Sequence, residues 1–212
     1  MSIDKSTKLQ ALGFHYCDNL QLKGFTSKDS PNKHITIQSC HGVTISKVHI
    51  RAPRDSPNTD GIMISGSSQI NIYESVIGTG DDCIAIKGGS SYINITHVAC
   101  GPGHGISIGS LGEWKGTNTV EEVHVRNCNF TRTTNGARIK TFNGGIGYAK
   151  AISFEDITLV ASKNPIIIDQ QYSKFLGNDD PKVKSALVPN LLSLLIMHLC
   201  YYFMHILVIL LR

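Results

Sequence analysis

Sustained helical spacing is missing from this chain. Before Pro189 no stretch keeps apolar residues on a 3.6 period for long, which argues against helix-built folds. The leucine-asparagine ladder of a leucine-rich repeat is absent too, although the chain repeats at a similar interval. Basic clusters are also lacking. The net charge of +4 is modest and Lys and Arg are scattered, so the basic stripe of a nucleic-acid binder is not formed. The first ten residues, MSIDKSTKLQ, hold no apolar run behind a positive charge, so no signal peptide is visible. Glycine disappears after Gly177, and no long continuous apolar run occurs until Leu191.

What the chain does have is a beat. Asp60, Asp82 and His104 stand 22 residues apart and head the phrases Asp60-Gly61-Ile62, Asp82-Cys83-Ile84 and His104-Gly105-Ile106. One strand-like series runs Ile35-Thr36-Ile37, Ile62-Met63-Ile64, Ile84-Ala85-Ile86, Ile106-Ser107-Ile108, Ala137-Arg138-Ile139 and Pro165-Ile166-Ile167. A second, interleaved with it, starts at Leu20, Val43, Ile70, Ile93, Val123 and Ile152, with steps of 23, 27, 23, 30 and 29 residues. Each segment alternates apolar and polar residues over three or four positions and then meets Gly, Ser or Asn, the signature of a short half-buried strand. Two or more such strands per coil of 22 to 31 residues predict an all-β, right-handed parallel β-helix of about six coils. With 212 residues, 41% of them hydrophobic, one such domain can bury a long, narrow core.

Two units follow: a β-helix over residues 1–186 and a tail over 187–212. From Leu191 to Leu211 no residue is charged. By length this is a candidate membrane span; the alternative is a truncated or mis-spliced end in which the repeat simply stops. In either case the solenoid would lack an ordinary cap and would expose unpaired strand edges.

In a β-helix, residues at one phase stack at roughly 4.8 Å, so Asp60, Asp82 and His104 form a ladder. If Asn135-Gly136-Ala137 continues the phase of His104-Gly105-Ile106, Arg138 and Lys140 point outward and flank that ladder on an external face. Three carboxylates (Asp60, Asp81, Asp82) within two coils repel one another, which raises at least one pKa and keeps a proton available near neutrality. Glycosidic cleavage needs that combination: one carboxyl to protonate the leaving oxygen, others to activate water or attack the anomeric carbon. Arg138 and Lys140 suit a carboxylate on the substrate, which points to a uronic acid. Glycines beside the acids would let a sugar chain approach the backbone. Taken alone, Asp81-Asp82 is equally compatible with a solvated turn or a calcium site.

The phrases Asn58-Thr59-Asp60, Gly80-Asp81-Asp82, Gly103-His104-Gly105 and Arg138-Ile139-Lys140, in this order, resemble the signature of the polygalacturonases, glycoside hydrolase family 28. The resemblance extends from about Leu9 to Ala186 and is plant-like around Asp55–Gly61 and Asn135–Thr141. It implies hydrolysis of α-1,4-galacturonosyl links of pectin by a monomer with no cofactor and no metal. Asp81 would be the general acid, Asp60 and Asp82 would hold the water, and His104 would relay protons near the acid. Asn58, Arg138, Lys140 and Tyr172 would contact the sugar. The family inverts the anomeric centre, whereas stacking at roughly 4.8 Å lies nearer the separation of a retaining pair.

The resemblance also implies a Cys83–Cys100 bridge bracing the catalytic coils and a secreted, cell-wall location; a membrane-associated form through 191–211 is the alternative. Cys17, Cys40 and Cys128 are expected inside as small apolar residues. Asn94-Ile95-Thr96 and Asn129-Phe130-Thr131 are glycosylation sequons. Ser173 stands where plant members carry cysteine. Family resemblance leaves open a related exo-acting or rhamnogalacturonan-cleaving enzyme, and a shortened chain could instead bind pectin without cutting it.

Overall fold

The computed structural model describes residues 9–113, 117–142 and 144–172, together with the backbone of three short strands between 197 and 211. Every described element is a strand, numbered here in chain order. The chain winds as a right-handed parallel β-helix whose coils have three faces, one more than the two strand series of the sequence. The first face stacks β1 (Leu12–His15), β4 (Ile35–Gln38), β7 (Ile62–Ser65), β9 (Ile84–Ile86), β11 (Ile106–Leu111), β14 (Asn135–Phe142) and β17 (Asn164–Tyr172). The second stacks β2 (Gln21–Lys23), β5 (His41–Ser46), β8 (Ser68–Gly78), β10 (Ser90–Cys100), β12 (Thr117–Arg126) and β15 (Ile146–Glu155). The third holds β3 (Thr26–Lys28), β6 (His49–Arg51), the second halves of β8 and β10, β13 (Asn129–Thr131) and β16 (Ile157–Val160).

The core is a set of in-register columns. On the first face Ile35, Ile62, Ile84 and Ile106 stack, and Ile37, Ile64, Ile86 and Ile108 stack beside them, all eight fully buried. Burying each such side chain contributes about 1.5–3 kcal/mol, and the column makes every coil depend on its neighbours. The second face answers with Val43, Ile70, Ile93, Val123 and Ile152. At the corner between the second and third faces, left-handed residues also stack: Gly24, Lys47, Glu74, His97, Asn127 and Asp156. Positive φ is unusual for side-chain-bearing residues. Its recurrence at one phase fixes where each coil bends, and β8 and β10 keep one register on both sides of that bend.

Two expectations need correction. The last strand of the first face pairs Ala137 with Ile166 and Ile139 with Ile168. The core residues there are therefore Ile166 and Ile168, not Pro165 and Ile167: a slip of one position moves every side chain to the other face. The C-terminal edges of the second and third faces are also paired. Strands β19 (Phe203–Ile206) and β20 (Ile209–Leu211) run antiparallel along β16 and β15, and β18 (Met197–Cys200) pairs with β19. No helix among the described residues is long and apolar enough to cross a membrane. The boundary near 186, the start of the tail and Ser173 lie outside the described residues.

Candidate active site

The turns that lead into β7, β9 and β11 carry Asp60, Asp81–Asp82 and His104. They are bound to one another through the backbone, with Gly61 N donating to Asp82 O at 2.9 Å and His104 N to Asp81 O at 2.8 Å. The glycines beside the acids serve this stacking. A Cβ at Gly61 would meet Cys83 O at 2.6 Å, and one at Gly105, whose φ is +84°, would run into the Asn135 and Gly136 carbonyls. The room they make admits the neighbouring coil. Cys83, next to Asp82, is disulfide-bonded to Cys100, just ahead of the His104 turn, so the bridge ties the two loops that carry the acids and the histidine.

Asp82 is the hub. Its Oδ1 accepts from Ser107 Oγ at 2.6 Å and lies 3.9 Å from Arg138, and its Oδ2 accepts from Lys140 Nζ at 3.0 Å. Asp82 is only 2% exposed and Lys140 5%. Arg138 and Lys140 do face outward by strand parity, but Lys140 is sunk beneath the surface, where the sequence suggested an external face. Buried pairs of this kind are strongly dependent on both partners. Asp81 Oδ1 accepts from its neighbour Asp82 N at 2.8 Å and meets His104 Nδ1 at 3.2 Å.

Asp60 and Asp81 are driven apart in proton affinity. Burial lifts Asp60 to about 7, and the charges of Asp81 and Asp82 add to the rise. For Asp81 burial also pushes upward, yet the hydrogen bond and charge of His104 outweigh it and hold the carboxyl down at about 2. The same hydrogen bond to Asp81 raises His104. Below about pH 7 the carboxyl proton is therefore favoured on Asp60, and a protonated His104 makes an ion pair with Asp81.

These groups border an open cleft of about 300 Å3, with Asn58, Asp60, Asp81, Asp82, Lys140 and Tyr172 on its walls. Tyr172, at the end of β17, meets Phe142 edge-on with ring centroids 5.4 Å apart, and the Arg138 and Lys140 cations sit 5.8 and 5.5 Å from its ring centre. Arg138 Nε is buried without a hydrogen-bond partner. Asp81, Asp82 and His104 bring possible ligand atoms within 4.8 Å of one another. Their oxygens and nitrogen are already engaged with each other, Ser107 and Lys140, and the Lys140 charge opposes a cation at Asp82, so the donor set fits an ion-paired site better than a metal.

Asn94 and Asn129 lie elsewhere, both exposed on the second and third faces; Asn94 donates to Asn71 Oδ1 at 3.3 Å. Cys40 and Cys128 are buried, but Cys17 is half-buried, with its backbone N–H on Cys40 Sγ at 3.3 Å. Sequence reasoning passed over Ser107 and Lys87. The signal was present for both: Ser107 shares the outward phase of Arg138, and Lys87 that of Lys140.

Comparison with known proteins agrees with this geometry. Glycosyl hydrolases family 28 matches residues 2–187. A "Probable polygalacturonase" of Arabidopsis thaliana is 55% identical over 85% of this chain and 39% of its own length. Among solved structures, a polygalacturonase from Erwinia carotovora superposes with a TM-score of 0.69 at 31% identity, covering 79% of this chain and 45% of that one. The endo-xylogalacturonan hydrolase of Aspergillus tubingensis gives 0.70 at 28% identity, covering 80% and 47%. The chain thus spans less than half the length of each of these relatives. A parallel β-helix with a triad of carboxyls, a histidine on one of them and two cations on another, matched by the family over most of its length, belongs to glycosyl hydrolases family 28.

Proposed function

We propose that the chain is the catalytic part of a polygalacturonase, hydrolysing α-1,4 links between galacturonates of pectin in the plant cell wall. One observation carries the reading: Asp60, Asp81 and Asp82 share a cleft with Lys140, the first two with proton affinities driven in opposite directions, and neighbouring Arg138 has an unsatisfied buried N–H. A uronate carboxylate satisfies that N–H and sits beside Lys140, while Tyr172 offers its ring to the sugar. Asn58, on the cleft wall, is placed to hydrogen-bond a sugar hydroxyl.

In the proposed reaction Asp81 protonates the leaving glycosidic oxygen as the bond from the anomeric carbon breaks. Asp60 and Asp82 hold the attacking water and take its proton as the new carbon–oxygen bond forms. Asp81 is held ionised by His104, so its proton comes from the imidazolium of His104, 3.2 Å away. An anionic substrate beside Asp81 favours that transfer, because a nearby negative charge raises a carboxyl's proton affinity. The stereochemical course is inversion, as the family resemblance implies. No metal or cofactor is required by these steps. The Cys83–Cys100 bridge and the exposed Asn94 and Asn129 acceptors suit secretion, with glycans placed away from the cleft.

Release of reducing ends from polygalacturonate tests the reading, with Asp81→Asn as control. Wild-type release should exceed the variant's by about 10²–10⁴-fold, the usual worth of a positioned general acid. Equal release by both would sink the hydrolase assignment, and a first product in the β form, seen before mutarotation, would distinguish inversion from retention of the α link.

A further inference from the structure

Two cations on the cleft wall, Lys33 and Lys87, are left unused by the chemistry above; Lys33 Nζ donates to the neighbouring Asn32 side chain at 3.1 Å, and Lys87 stands in the catalytic column. It follows β9 directly and lies outward, in the column Ser65, Lys87, Gly109, Lys140. Its Nζ donates to Gly109 O at 2.9 Å. An ammonium has three donors, and among the described residues Lys87 has no ion pair, whereas Lys140 in the same column holds Asp82 at 3.0 Å. Lys87 nonetheless lines the cleft, close enough to be influenced by Lys140 and all three carboxyls; burial first, and then the Lys140 charge, push its proton affinity below that of an ordinary lysine. A partly buried cation with a carbonyl as its one direct partner is costly to hold.

Gly109 explains why space remains beside it. A Cβ there would run into the Lys140 carbonyl, so the coil between the two lysines presents no side chain. Two ammonium groups two coils apart, roughly 10 Å by coil spacing, thus face the cleft on either side of a bare backbone step.

We propose that Lys87 binds the carboxylate of a second uronate, next in the polymer to the one held by Arg138 and Lys140, so that the cleft selects runs of free carboxylates over esterified ones. The inference rests on the pectin reading and adds to it a specificity-determining residue. A charge-assisted hydrogen bond of this kind is worth about 1.5–3 kcal/mol, or roughly ten- to a hundredfold in affinity.

The test measures binding without turnover. In the full chain carrying Asp81→Asn, calorimetric affinities for a short galacturonate oligomer and for its fully methyl-esterified form are compared with and without Lys87→Gln. The substitution should weaken binding of the free acid by roughly ten- to a hundredfold, leave the ester unaffected, and flatten the salt dependence of the acid, while Lys87→Arg restores part of the loss. Equal affinities with and without Lys87→Gln overturn the inference. Equal losses for acid and ester, together with a lower melting temperature, also overturn it, because they assign Lys87 to packing. Binding of neither ligand by the Asp81→Asn parent overturns the pectin reading itself, and the inference falls with it.

Discussion

The cleft face and the two faces behind it follow the same alternation of inward and outward residues, yet they treat charge in opposite ways. Behind the cleft, outward charges pair in water: Lys47 with Glu74 at 3.5 Å, Arg126 with Glu155 at 3.1 Å and Lys150 with Glu121 at 2.8 Å. In the cleft the Asp82–Lys140 pair, at 3.0 Å, keeps side chains only 3% and 6% exposed. The lesson is that outward parity alone does not mean solvent. The turns before β9 and β11, bridged at Cys83–Cys100, and the closing strand β17 with Tyr172 surround one column and sink it.

That contrast can be broken at its strongest point by Lys140→Met. Removing one partner of a buried pair leaves Asp82 uncompensated and should cost about 3–5 kcal/mol of stability, read from denaturant unfolding, with a double change to Lys140→Met and Asp82→Asn recovering much of it. A cost no larger than that of a surface pair would erase the distinction between the faces. Opening the bridge with Cys83→Ser should cost about 2–4 kcal/mol, with activity falling at temperatures where the chain remains folded, since both loops it ties carry reacting groups.

The pH response sharpens the same comparison. Asp60 holds its proton to about pH 7, against an ordinary value of 3.8. Between those values the native chain binds a proton that the unfolded chain has released, so this group's contribution to stability declines as pH rises through the window. In the proposed reaction Asp60 helps take the water's proton, so activity should rise as pH rises through about 7 and fall again where His104 loses the proton it relays. Asp60→Asn should remove the stability slope, measured as unfolding free energy at pH 5 and pH 8. An unchanged slope would mean that Asp60 does not hold the proton. The smallest effect belongs to the outer faces: Glu121→Gln should change stability by less than about 1 kcal/mol and leave activity unaltered.

Much of this was legible one residue at a time. Ile35, Ile62, Ile84 and Ile106 announce the core because period-2 alternation encodes which face a side chain takes. The common phase of Asp60, Asp82 and His104 brings them to one edge because coils of equal length stack. The exception at Pro165 is instructive: Pro165-Ile166-Ile167-Ile168 offers apolar residues in both phases, so alternation cannot choose, and pairing with β14 decides for Ile166 and Ile168. The third face was hidden for a related reason, since β8 and β10 pass through a left-handed corner at Glu74 and His97 without any glycine to mark it.

By itself, then, the sequence determined the repeat, the inward columns and the identity of the residues gathered at one edge, all of which depend on local period. The tertiary structure decided depth and its consequences: Lys140 under the surface, the proton on Asp60 with Asp81 held down by His104, Ser107 on Asp82, and Lys87 facing the cleft without an ion pair. Those depend on how far neighbouring coils and turns exclude water from a charge, and desolvation is a sum over surroundings that no local pattern contains.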